Sequence, residues 1–460
     1  MMIYHKTILA DLLTPVSAFL RIAHNSPRAF LLESVEGGER IARYSFLGAD
    51  PKRSYRGNLA GFRQAFPTQQ ESYPQLPPFT GGAVGCFAYD LVRELEHLPG
   101  RNSDAETLPP VMMDFYPTVL AFDHVQHRIV VMSHEGRDAV EDMEARLQQP
   151  SPQERLARES VDIWRRIQAA LNQEDGRSGD LEGNGAVRRH TRREDYCAAV
   201  DRAKEYIRAG DVFQVVLAQA FEMDFSGDPF SVYRALRYVN PSPYMFFLKH
   251  DDLCVTGASP EMLIRVEGRR LEYRPIAGTR RRGHDPASDL QMERELVADP
   301  KERAEHLMLV DLGRNDLGRV CEFGRVEVED LMFVERYSHV MHLVSSLRGT
   351  LRTDLDRFDA LASCFPAGTV TGAPKIRAME IIDELEPVPR GVYSGAVGYA
   401  DYADNLDTCI AIRTLVFRDG VARFEAGAGV VAESMPERED LECRNKARAL
   451  VRAVQLGGML

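Results

Sequence analysis

The sequence predicts a fold of the α+β class, because strand-like and helix-like patterns follow one another irregularly rather than as repeated strand–helix–strand units. Two β-rich runs, 118–122 and 128–132, are separated by a short polar stretch and therefore predict a β-hairpin. A helical pattern covers 191–210, and a further β-rich run follows at 212–220. At 460 residues the chain has room for roughly two to four domains, or for one large core that distant segments build together.

The helix predicted at 191–210 has recognisable signals at both ends. Thr191 and Glu194 form a capping-box pattern at its start, and Gly210 suits a C-terminal cap. Between them, apolar residues recur at helical spacing, which predicts that one face packs against the protein core. These residues are Tyr196, Ala199, Val200, Ala203 and Ile207.

One polar segment divides the chain unevenly. Residues 174–185 (EDGRSGDLEGNG) are rich in Gly, Asp, Asn and Ser, have almost no apolar side chains, and are the best candidate for a linker. A polar helix is predicted just before it, over about 154–173. We therefore divide the chain into an N-terminal portion, 1–173, a linker, 174–190, and a C-terminal portion, 191–460.

The composition excludes several classes of function. The chain has 57 Lys and Arg against 69 Asp and Glu, so its net charge of −12 repels nucleic acid, and the arginine runs 188–189 and 280–282 are more typical of solvated loops. Its seven cysteines are widely spaced without a C-x-x-C pair, so neither a disulfide framework nor a thiolate zinc site is predicted. No apolar stretch reaches the ~18 residues of a membrane span. We expect a soluble, reduced, cytoplasmic protein that binds neither nucleic acid nor membranes.

Two predicted helices each present a pair of carboxylates. One begins at Asp299, and on it Glu302 and Glu305 share a face; on the other, near the C-terminus, Glu439 and Glu442 repeat that spacing. Together such helices could hold a hard cation such as Mg²⁺, with water and substrate oxygens completing its octahedron. The alternative is that both pairs lie on solvated amphipathic faces, and spacing alone favours that alternative.

A single arginine interrupts an apolar, strand-like run. In 407–417 (DTCIAIRTLVF) the residues alternate so that Arg413 shares a face with apolar side chains. A guanidinium in such surroundings must be paired, and its two-pronged geometry suits a carboxylate. The residues leave open whether that carboxylate belongs to a substrate or to the protein.

Two glycine-rich segments could bind an anion but match no nucleotide-binding motif. Residues 427–432 read G-x-G-x-x-A, but the next helix starts too late for the glycine turn to open it. Residues 368–375 have a proline where a phosphate loop needs its second glycine. Both could still offer backbone N–H groups to an anionic ligand. His342, in an otherwise apolar stretch, is by itself more typical of a core residue than of a catalyst.

Taken together, a series of sequence strings resembles the chorismate-utilising enzymes, and within that family the component I proteins of anthranilate synthase. In chain order they are LLES (31–34), GGAVGCFAYD (81–90), DVFQVVLAQ, NPSPYMFFL, GASPE, PIAGTRRRG, ERAEHLMLVDLGRNDLGRV, YSHVMHLVS, PAGTVTGAPK, YSGAVGY, DTCIAIRT and AGAGVVAES, running on to NKARAL. The resemblance implies a large two-layered α/β sandwich. It also implies that the N-terminal portion, with regulatory, tryptophan-binding and partner-binding roles, wraps a C-terminal catalytic portion that binds chorismate.

The resemblance implies Mg²⁺ as the cofactor and assigns residues to the metal and to chorismate. The residues that match the family's metal ligands are Glu305 and Glu442, with Glu302 and Glu439 in support. The residues that match its substrate contacts are Gly278, Thr279, Tyr393, Arg413, Gly427, Ala428 and Gly429. Of these, Arg413 and Tyr393 match residues that hold the enolpyruvyl carboxylate.

The implied reaction is an allylic substitution followed by an elimination. Ammonia attacks ring C2 of chorismate while the C4 hydroxyl leaves as water, and pyruvate then leaves as the ring becomes aromatic. Glu261 matches the proposed general acid of the first step, and His342 matches the histidine tied to the second. Thr369 matches a substrate-contacting position and is placed with the catalytic residues.

Two positions separate this chain from related subfamilies. Relatives that form isochorismate or salicylate place a lysine where this chain has Gln214, and a glutamine cannot activate the attacking water. Typical aminodeoxychorismate synthases, of the folate branch, have a nucleophilic lysine where this chain has Ala277. Some of them carry alanine there, so aminodeoxychorismate synthase component I stays the alternative function. A binding protein that kept the fold but lost catalysis is disfavoured, because the acid, the arginine and the carboxylates are all present.

The LLES string and the P-Y-M turn resemble the site at which tryptophan inhibits anthranilate synthases. The matching residues are Ser34, Pro243, Tyr244 and Met245, although a strand end and a proline turn would also account for them. No amidotransferase domain is recognisable, so we expect a separate glutamine amidotransferase subunit to supply ammonia from glutamine, in a heterotetramer. The chain alone should use ammonia only.

Overall fold

In the computed structural model, the described residues are 3–23, 25–34, 43–67, 73–99, 108–151, 187–337 and 340–460. The strands are, in chain order, β1 Tyr4–Leu9, β2 Arg28–Glu33, β3 Tyr44–Ala49, β4 Arg53–Gly57, β5 Gly82–Phe87, β6 Val111–Tyr116, β7 Thr118–Asp123, β8 Arg128–Ser133, β9 Arg188–Arg189, β10 Gln214–Asp224, β11 Tyr244–His250, β12 Leu253–Ser259, β13 Met262–Glu267, β14 Arg270–Tyr273, β15 Ile276–Arg281, β16 Cys321–Arg336, β17 Val340–Leu351, β18 Gly372–Ala373, β19 Ala396–Asp401, β20 Leu406–Ile410, β21 Thr414–Arg418 and β22 Val421–Val430. The helices are α1 Pro15–Ile22, α2 Leu59–Ala65, α3 Val92–Leu95, α4 Arg137–Gln148, α5 Arg193–Ala209, α6 Pro229–Val239, α7 Pro286–Ala298, α8 Pro300–Gly318, α9 Arg357–Cys364, α10 Lys375–Leu385 and α11 Pro436–Gly457. The helix predicted over 154–173 and the linker segment 174–185 lie outside the described residues.

Two large antiparallel sheets form the framework, and each contains strands from both portions of the chain. The first runs β1-β8-β7-β3-β2-β11-β12-β21-β22-β10-β18, with β9 paired to β10. The second runs β15-β17-β14-β13-β20-β19-β5-β6-β4, with β16 paired to β17. N-terminal strands join C-terminal strands between β2 and β11 in the first sheet and between β5 and β19 in the second. The N-terminal portion therefore completes one end of both sheets, as the predicted wrapping fold requires.

The two sheets pack face to face, and helices cover their outer faces. Alternate residues of a single strand therefore enter different cores: in β7, Val119 and Ala121 lie between the sheets, whereas Leu120 and Phe122 lie against helices. The helices over the first sheet include α1, α4, α5, α6 and α11, and those over the second include α8 and α9. This is the predicted α+β sandwich, in which each of the two layers is a sheet with its own helices.

Most of the local predictions are confirmed, with one exception at a helix start. The predicted hairpin is β7 and β8, and the predicted β-rich run at 212–220 lies within β10 and the residues before it. Helix α5 ends at Gly210, whose left-handed φ of +85° makes it the predicted cap. Its N-cap is Arg192 without a side-chain hydrogen bond, so the predicted capping box of Thr191 and Glu194 is wrong. Thr191 lies one residue before the cap and is buried.

Six of the seven cysteines are buried. All seven cysteines are free, and burial raises the pKa of several of their thiols, that of Cys86 to about 12. Among the residues that the structure describes, no helix is both long and apolar enough to cross a membrane.

Candidate active site

A cavity of about 200 Å³ lies where β15 and β17 approach the segment before β11 and the break between β20 and β21. Its lining residues are Asn240, Pro241, Ser242, Pro243, Pro260, Thr279, Tyr337, Val340, His342 and Arg413. Three residues predicted to bind substrate or to catalyse, Thr279, His342 and Arg413, therefore meet in one place. We refer to this space as the Arg413 cavity.

Arg413 lies at a break between two strands, so the single strand predicted over 407–417 is wrong. Strand β20 ends at Ile410 and β21 begins at Thr414, and between them Arg413 adopts a left-handed conformation with φ +51°. The side chain of Arg413 makes no hydrogen bond or ion pair with any residue that the structure describes, although its carbonyl oxygen accepts from the N–H of Ala258 at 3.1 Å. Partial burial lowers its pKa, while Tyr393 and Glu442 favour its charged form. A partly buried guanidinium without a protein partner is suited to bind an anion.

His342 on β17 is held by the neighbouring strand β15. Its Nδ1 lies 3.0 Å from the carbonyl oxygen of Gly278 and 3.1 Å from the hydroxyl of Thr279. Since a carbonyl oxygen can only accept, Nδ1 carries a proton and donates it, which leaves Nε2 of the neutral ring as an acceptor. Burial lowers the pKa of His342 and so favours that neutral ring. His342 is therefore arranged as a base in the cavity wall.

Gly278 lies in a β-bulge between His342 and helix α8. The register of β15 against β17 shifts between Ala277 and Thr279, and Gly278 has φ +64°. A Cβ at this position would lie only 3.0 Å from Oε2 of Glu302. Both the left-handed backbone and the close approach require glycine.

Glu261 lies between β12 and β13, next to the cavity-lining Pro260. Its side chain is buried, and this burial raises the pKa of the carboxyl from 4.5 to about 8, while the nearby Thr369 hydroxyl offsets part of the shift. The carboxyl is therefore protonated at neutral pH and can donate a proton. Thr369, in the short turn Gly368–Val370, is thus placed beside the acid.

The backbone of β22 at 427–429 packs closely against two side chains. A Cβ at Gly427 would lie 2.8 Å from the Tyr393 hydroxyl, and one at Gly429 would overlap the side-chain amide of Gln214. Glycine at both positions lets these side chains contact the strand backbone. Ala428, between them, is completely buried. The side chains of Tyr393 and Gln214 therefore lie close to the β22 backbone that is predicted to bind substrate.

The four predicted metal carboxylates lie in the first two turns of α8 and α11. Burial raises the pKa of Glu305, and the charges of Glu302 and Glu442 raise it further. The pKa of Glu439 is also raised, first by burial and then by Glu442. Because the charge of Glu442 on α11 reaches Glu305 on α8, the two helices bring their carboxylates together.

These carboxylates do not form a closed metal cage. Within the described ranges, no three His, Cys, Asp or Glu side chains are grouped so that they could hold a metal ion. Glu302 lies 3.1 Å from Arg280, and Glu442 lies 2.7 Å from Lys446. Mg²⁺ usually takes one or two carboxylates and completes its octahedron with water and substrate oxygens. Glu305 and Glu442 therefore supply the type and number of ligands that Mg²⁺ usually takes from a protein.

A second cavity, of about 380 Å³, lies beside the joint between β2 and β11. All four residues predicted to bind tryptophan line it, namely Ser34, Pro243, Tyr244 and Met245. Its wall also contains Arg265 and Asp407, which pair at 2.9 Å, and Asp407 accepts a hydrogen bond from the Tyr244 hydroxyl at 3.1 Å. We refer to this space as the Ser34 cavity.

Residues 240–242 line the Arg413 cavity but were not singled out from the sequence, where the string NPSPYMFFL was their only signal. Pro243, predicted only for tryptophan binding, lines both cavities. Tyr337, whose ring centroid lies 5.5 Å from that of His342, begins the string YSHVMHLVS but was not singled out as a site residue.

Known proteins resemble this chain over nearly its whole length. Residues 27–452 match the family model described as chorismate binding enzyme. Anthranilate synthase component 1 of Acetivibrio thermocellus is 46% identical over 475 aligned positions, covering 98% of this chain and 94% of that protein. The protein of the same name from Thermus thermophilus is 46% identical, with 98% of both chains covered. The crystal structure of anthranilate synthase component I from Streptococcus pneumoniae matches with a TM-score of 0.78 at 33% identity, covering 96% of this chain and 99% of that one.

Proposed function

Because this chain belongs to the family of chorismate-binding enzymes, we propose that it is the large, aminating component of anthranilate synthase. This enzyme converts chorismate and ammonia to anthranilate, pyruvate and water, the first committed step of tryptophan biosynthesis. One structural observation carries the proposal: the Arg413 guanidinium, partly buried and without a partner among the described residues, lines a cavity together with His342 and Thr279. Such a cavity suits a carboxylate substrate that also needs proton transfer.

The two carboxylates of chorismate are assigned to different parts of the site. The Arg413 guanidinium binds the enolpyruvyl carboxylate, assisted by the Tyr393 hydroxyl and by backbone groups at 427–429. Glu305 and Glu442 would hold Mg²⁺ at the ring carboxylate, with Glu302 and Glu439 orienting them. When bound, the metal neutralises charge that develops on the conjugated carboxylate.

The acid and the base act in successive steps. Glu261, protonated because it is buried, donates its proton to the C4 hydroxyl, which leaves as water while ammonia forms the new bond at C2. Nε2 of neutral His342 then accepts the C2 proton as the C–O bond to the enolpyruvyl group breaks and the ring becomes aromatic. The leaving group departs as the enolate of pyruvate, which takes up a proton from water to give pyruvate. Gln214 offers no base that could activate water, which favours ammonia as the nucleophile.

The alternative, aminodeoxychorismate synthase component I, would stop before pyruvate leaves. No structural observation favours it over the proposed function. Ala277 has no amine to attack C2, and His342 supplies the base that the second step requires. An aminated product that retains its enolpyruvyl group would nevertheless identify that enzyme.

We expect the purified chain to make anthranilate from chorismate with ammonium but not with glutamine. The name component 1 of its relatives implies a second component, and the proposed one is a glutamine amidotransferase subunit in a heterotetramer. Anthranilate fluorescence is followed with either nitrogen source, before and after that subunit is added. The added subunit should confer glutamine-dependent turnover, and size-exclusion chromatography should show the larger complex. Turnover with glutamine by the single chain would contradict the assignment of glutamine hydrolysis to a separate subunit.

The Ser34 cavity is the proposed tryptophan site. It combines an apolar wall, formed by Pro243 and Met245, with polar groups that include Asp407 and the Tyr244 hydroxyl. An indole can occupy an apolar wall while an ammonium and a carboxylate find charged or polar partners. Pro243 also lines the Arg413 cavity. A tryptophan bound in the Ser34 cavity would therefore contact a residue that also forms part of the wall of the Arg413 cavity.

Replacing Ser34 by arginine is expected to abolish inhibition by tryptophan while leaving catalysis intact. The larger, charged side chain would fill part of the cavity, and a cost of about 3 kcal/mol raises the half-inhibitory tryptophan concentration roughly 100-fold. Since Ser34 does not line the Arg413 cavity, kcat without tryptophan should stay within about threefold. Ser34→Ala, which removes only the hydroxyl, should show a smaller shift. If Ser34→Arg stays fully inhibitable, the Ser34 cavity is not the inhibitor site.

A further inference from the structure

Arg390, in the loop after α10, has a completely buried side chain, and all five of its N–H donors are used. Glu386 accepts two of them in a bidentate pair, at 2.9 and 2.6 Å. The other three go to the carbonyl oxygens of Val370 and Val216, at 2.7 and 2.8 Å, and to the hydroxyl of Ser394, at 3.1 Å. One rigid, planar group thus holds four chain segments at once.

Two of these contacts hold opposite parts of the candidate site. Val370 directly follows Thr369, whose hydroxyl lies near the Glu261 carboxyl. Val216 pairs across the sheet with Gly429, in the backbone segment assigned to the substrate carboxylate. The guanidinium therefore connects the proton-donating side of the site to the anion-binding side.

The third contact supports a residue in a rarely adopted conformation. Ser394 has φ +64°, in the left-handed region that non-glycine residues seldom adopt, and it directly follows Tyr393. Its hydroxyl accepts from Arg390, and its N–H donates to Ala411 at 2.9 Å. The guanidinium also lies 5.7 Å from the ring centroid of Tyr393. The position of Tyr393 therefore depends on Arg390 through both its ring and the next residue.

We propose that Arg390 is a positioning residue of the reaction, a proposal that rests on the function proposed above. Its side chain is completely buried and all five of its donors are used within the protein, so it does not contact substrate. By holding the turn at Thr369, the strand opposite Gly429 and the loop at Tyr393, it sets the distance between the acid and the groups that bind the enolpyruvyl carboxylate. Lysine keeps the charge but lacks the planar fork that makes these contacts together.

The test compares Arg390→Lys with a matched control, Arg357→Lys. Arg357 is also buried, donates to the carbonyl oxygen of Asp401 at 2.6 Å, and stacks on aromatic rings, but it adjoins no residue of the candidate site. We expect Arg390→Lys to lower kcat by roughly 10²-fold, because displacements of about 1 Å have that effect, with the KM for chorismate within about threefold. Arg357→Lys should keep kcat. Both variants are assayed below their thermal midpoints, with folding checked by circular dichroism.

A milder variant keeps the proposal testable if Arg390→Lys does not fold. Ser394→Ala removes one acceptor only, and we expect kcat to fall roughly 10-fold. In the Arg390→Lys background the same change should cost nothing further, because both act through one contact. Unchanged kcat in either single variant, or a loss in Arg390→Lys equal to that in Arg357→Lys, would overturn the proposal. Failure of the wild-type chain to form anthranilate in this assay would instead contradict the proposed function.

Discussion

Glu261→Gln is expected to lower kcat by roughly 10²- to 10⁴-fold, the usual contribution of a general acid. Glutamine has nearly the same shape as glutamic acid but cannot donate the proton that the C4 hydroxyl needs. Because the pKa of Glu261 is about 8, the wild-type rate at constant free ammonia should fall as the pH rises above that value. The variant should not show this decrease in rate at high pH. Measuring kcat from pH 7 to 9.5, with total ammonium adjusted at each pH, checks both expectations.

The same substitution should change how folding stability depends on pH. In the folded chain the Glu261 carboxyl keeps its proton up to about pH 8, whereas in the unfolded chain it ionises near its ordinary value of 4.5. Between these pH values the folded state binds more protons, so the free energy of unfolding falls as the pH rises. Glu261→Gln removes this contribution. Denaturant unfolding at pH 5 and pH 8 should therefore show a smaller decrease for the variant than for the wild type.

Glu425→Gln is the matched control for this substitution. Glu425 is also a buried glutamate, and burial raises its pKa to about 7, but its carboxylate pairs with Arg423 at 2.8 Å and no catalytic role is assigned to it. Replacing Glu425 should reduce the pH dependence of folding stability. The decrease in kcat above about pH 8 should remain as in the wild type. Wild-type turnover by Glu261→Gln would show that another group protonates the leaving hydroxyl.

Glu305→Gln is expected to abolish Mg²⁺-dependent turnover, with a loss of about 10³-fold, because a metal ion contributes several kcal/mol of charge stabilisation. The substitution removes a direct ligand charge from the pair with Glu442. It also relieves the repulsion that raises the pKa of Glu305, so the thermal midpoint without Mg²⁺ should not fall. Titration calorimetry with Mg²⁺ and chorismate should show weakened metal binding.

Asp311→Asn provides the comparison on the same helix. Asp311 is exposed on α8 and pairs with Arg314 at 2.9 Å, so its replacement removes an equal charge away from the carboxylates. Turnover and Mg²⁺ affinity should stay at wild-type values. Near-normal Mg²⁺-dependent activity in Glu305→Gln would remove this residue from the metal site.

Arg413 shows how far reasoning from the sequence can reach. An arginine within an apolar alternating run indicated a special group, and the structure places it in a cavity. The alternation also predicted one continuous strand, whereas the chain passes from the second sheet to the first at a left-handed Arg413. Periodicity cannot show such a passage, because non-glycine residues with positive φ have no reliable sequence signature.

The acidic helices and Arg390 show two further limits. Helical spacing placed Glu302 beside Glu305, but only the fold brings them to Glu442, because that approach depends on how distant helices pack. Arg390 was missed because two of its partners are backbone carbonyl groups, which no residue pattern encodes. The resemblance to a family supplied the long-range assignments that local patterns could not.

The most direct test of the account follows anthranilate fluorescence with chorismate, Mg²⁺ and ammonium at alkaline pH, repeated with added tryptophan. We expect anthranilate and pyruvate to form in equal amounts. Removing Mg²⁺ should stop the reaction, and tryptophan should suppress it. An aminated product that keeps its enolpyruvyl group would contradict the account and place the protein in the folate branch.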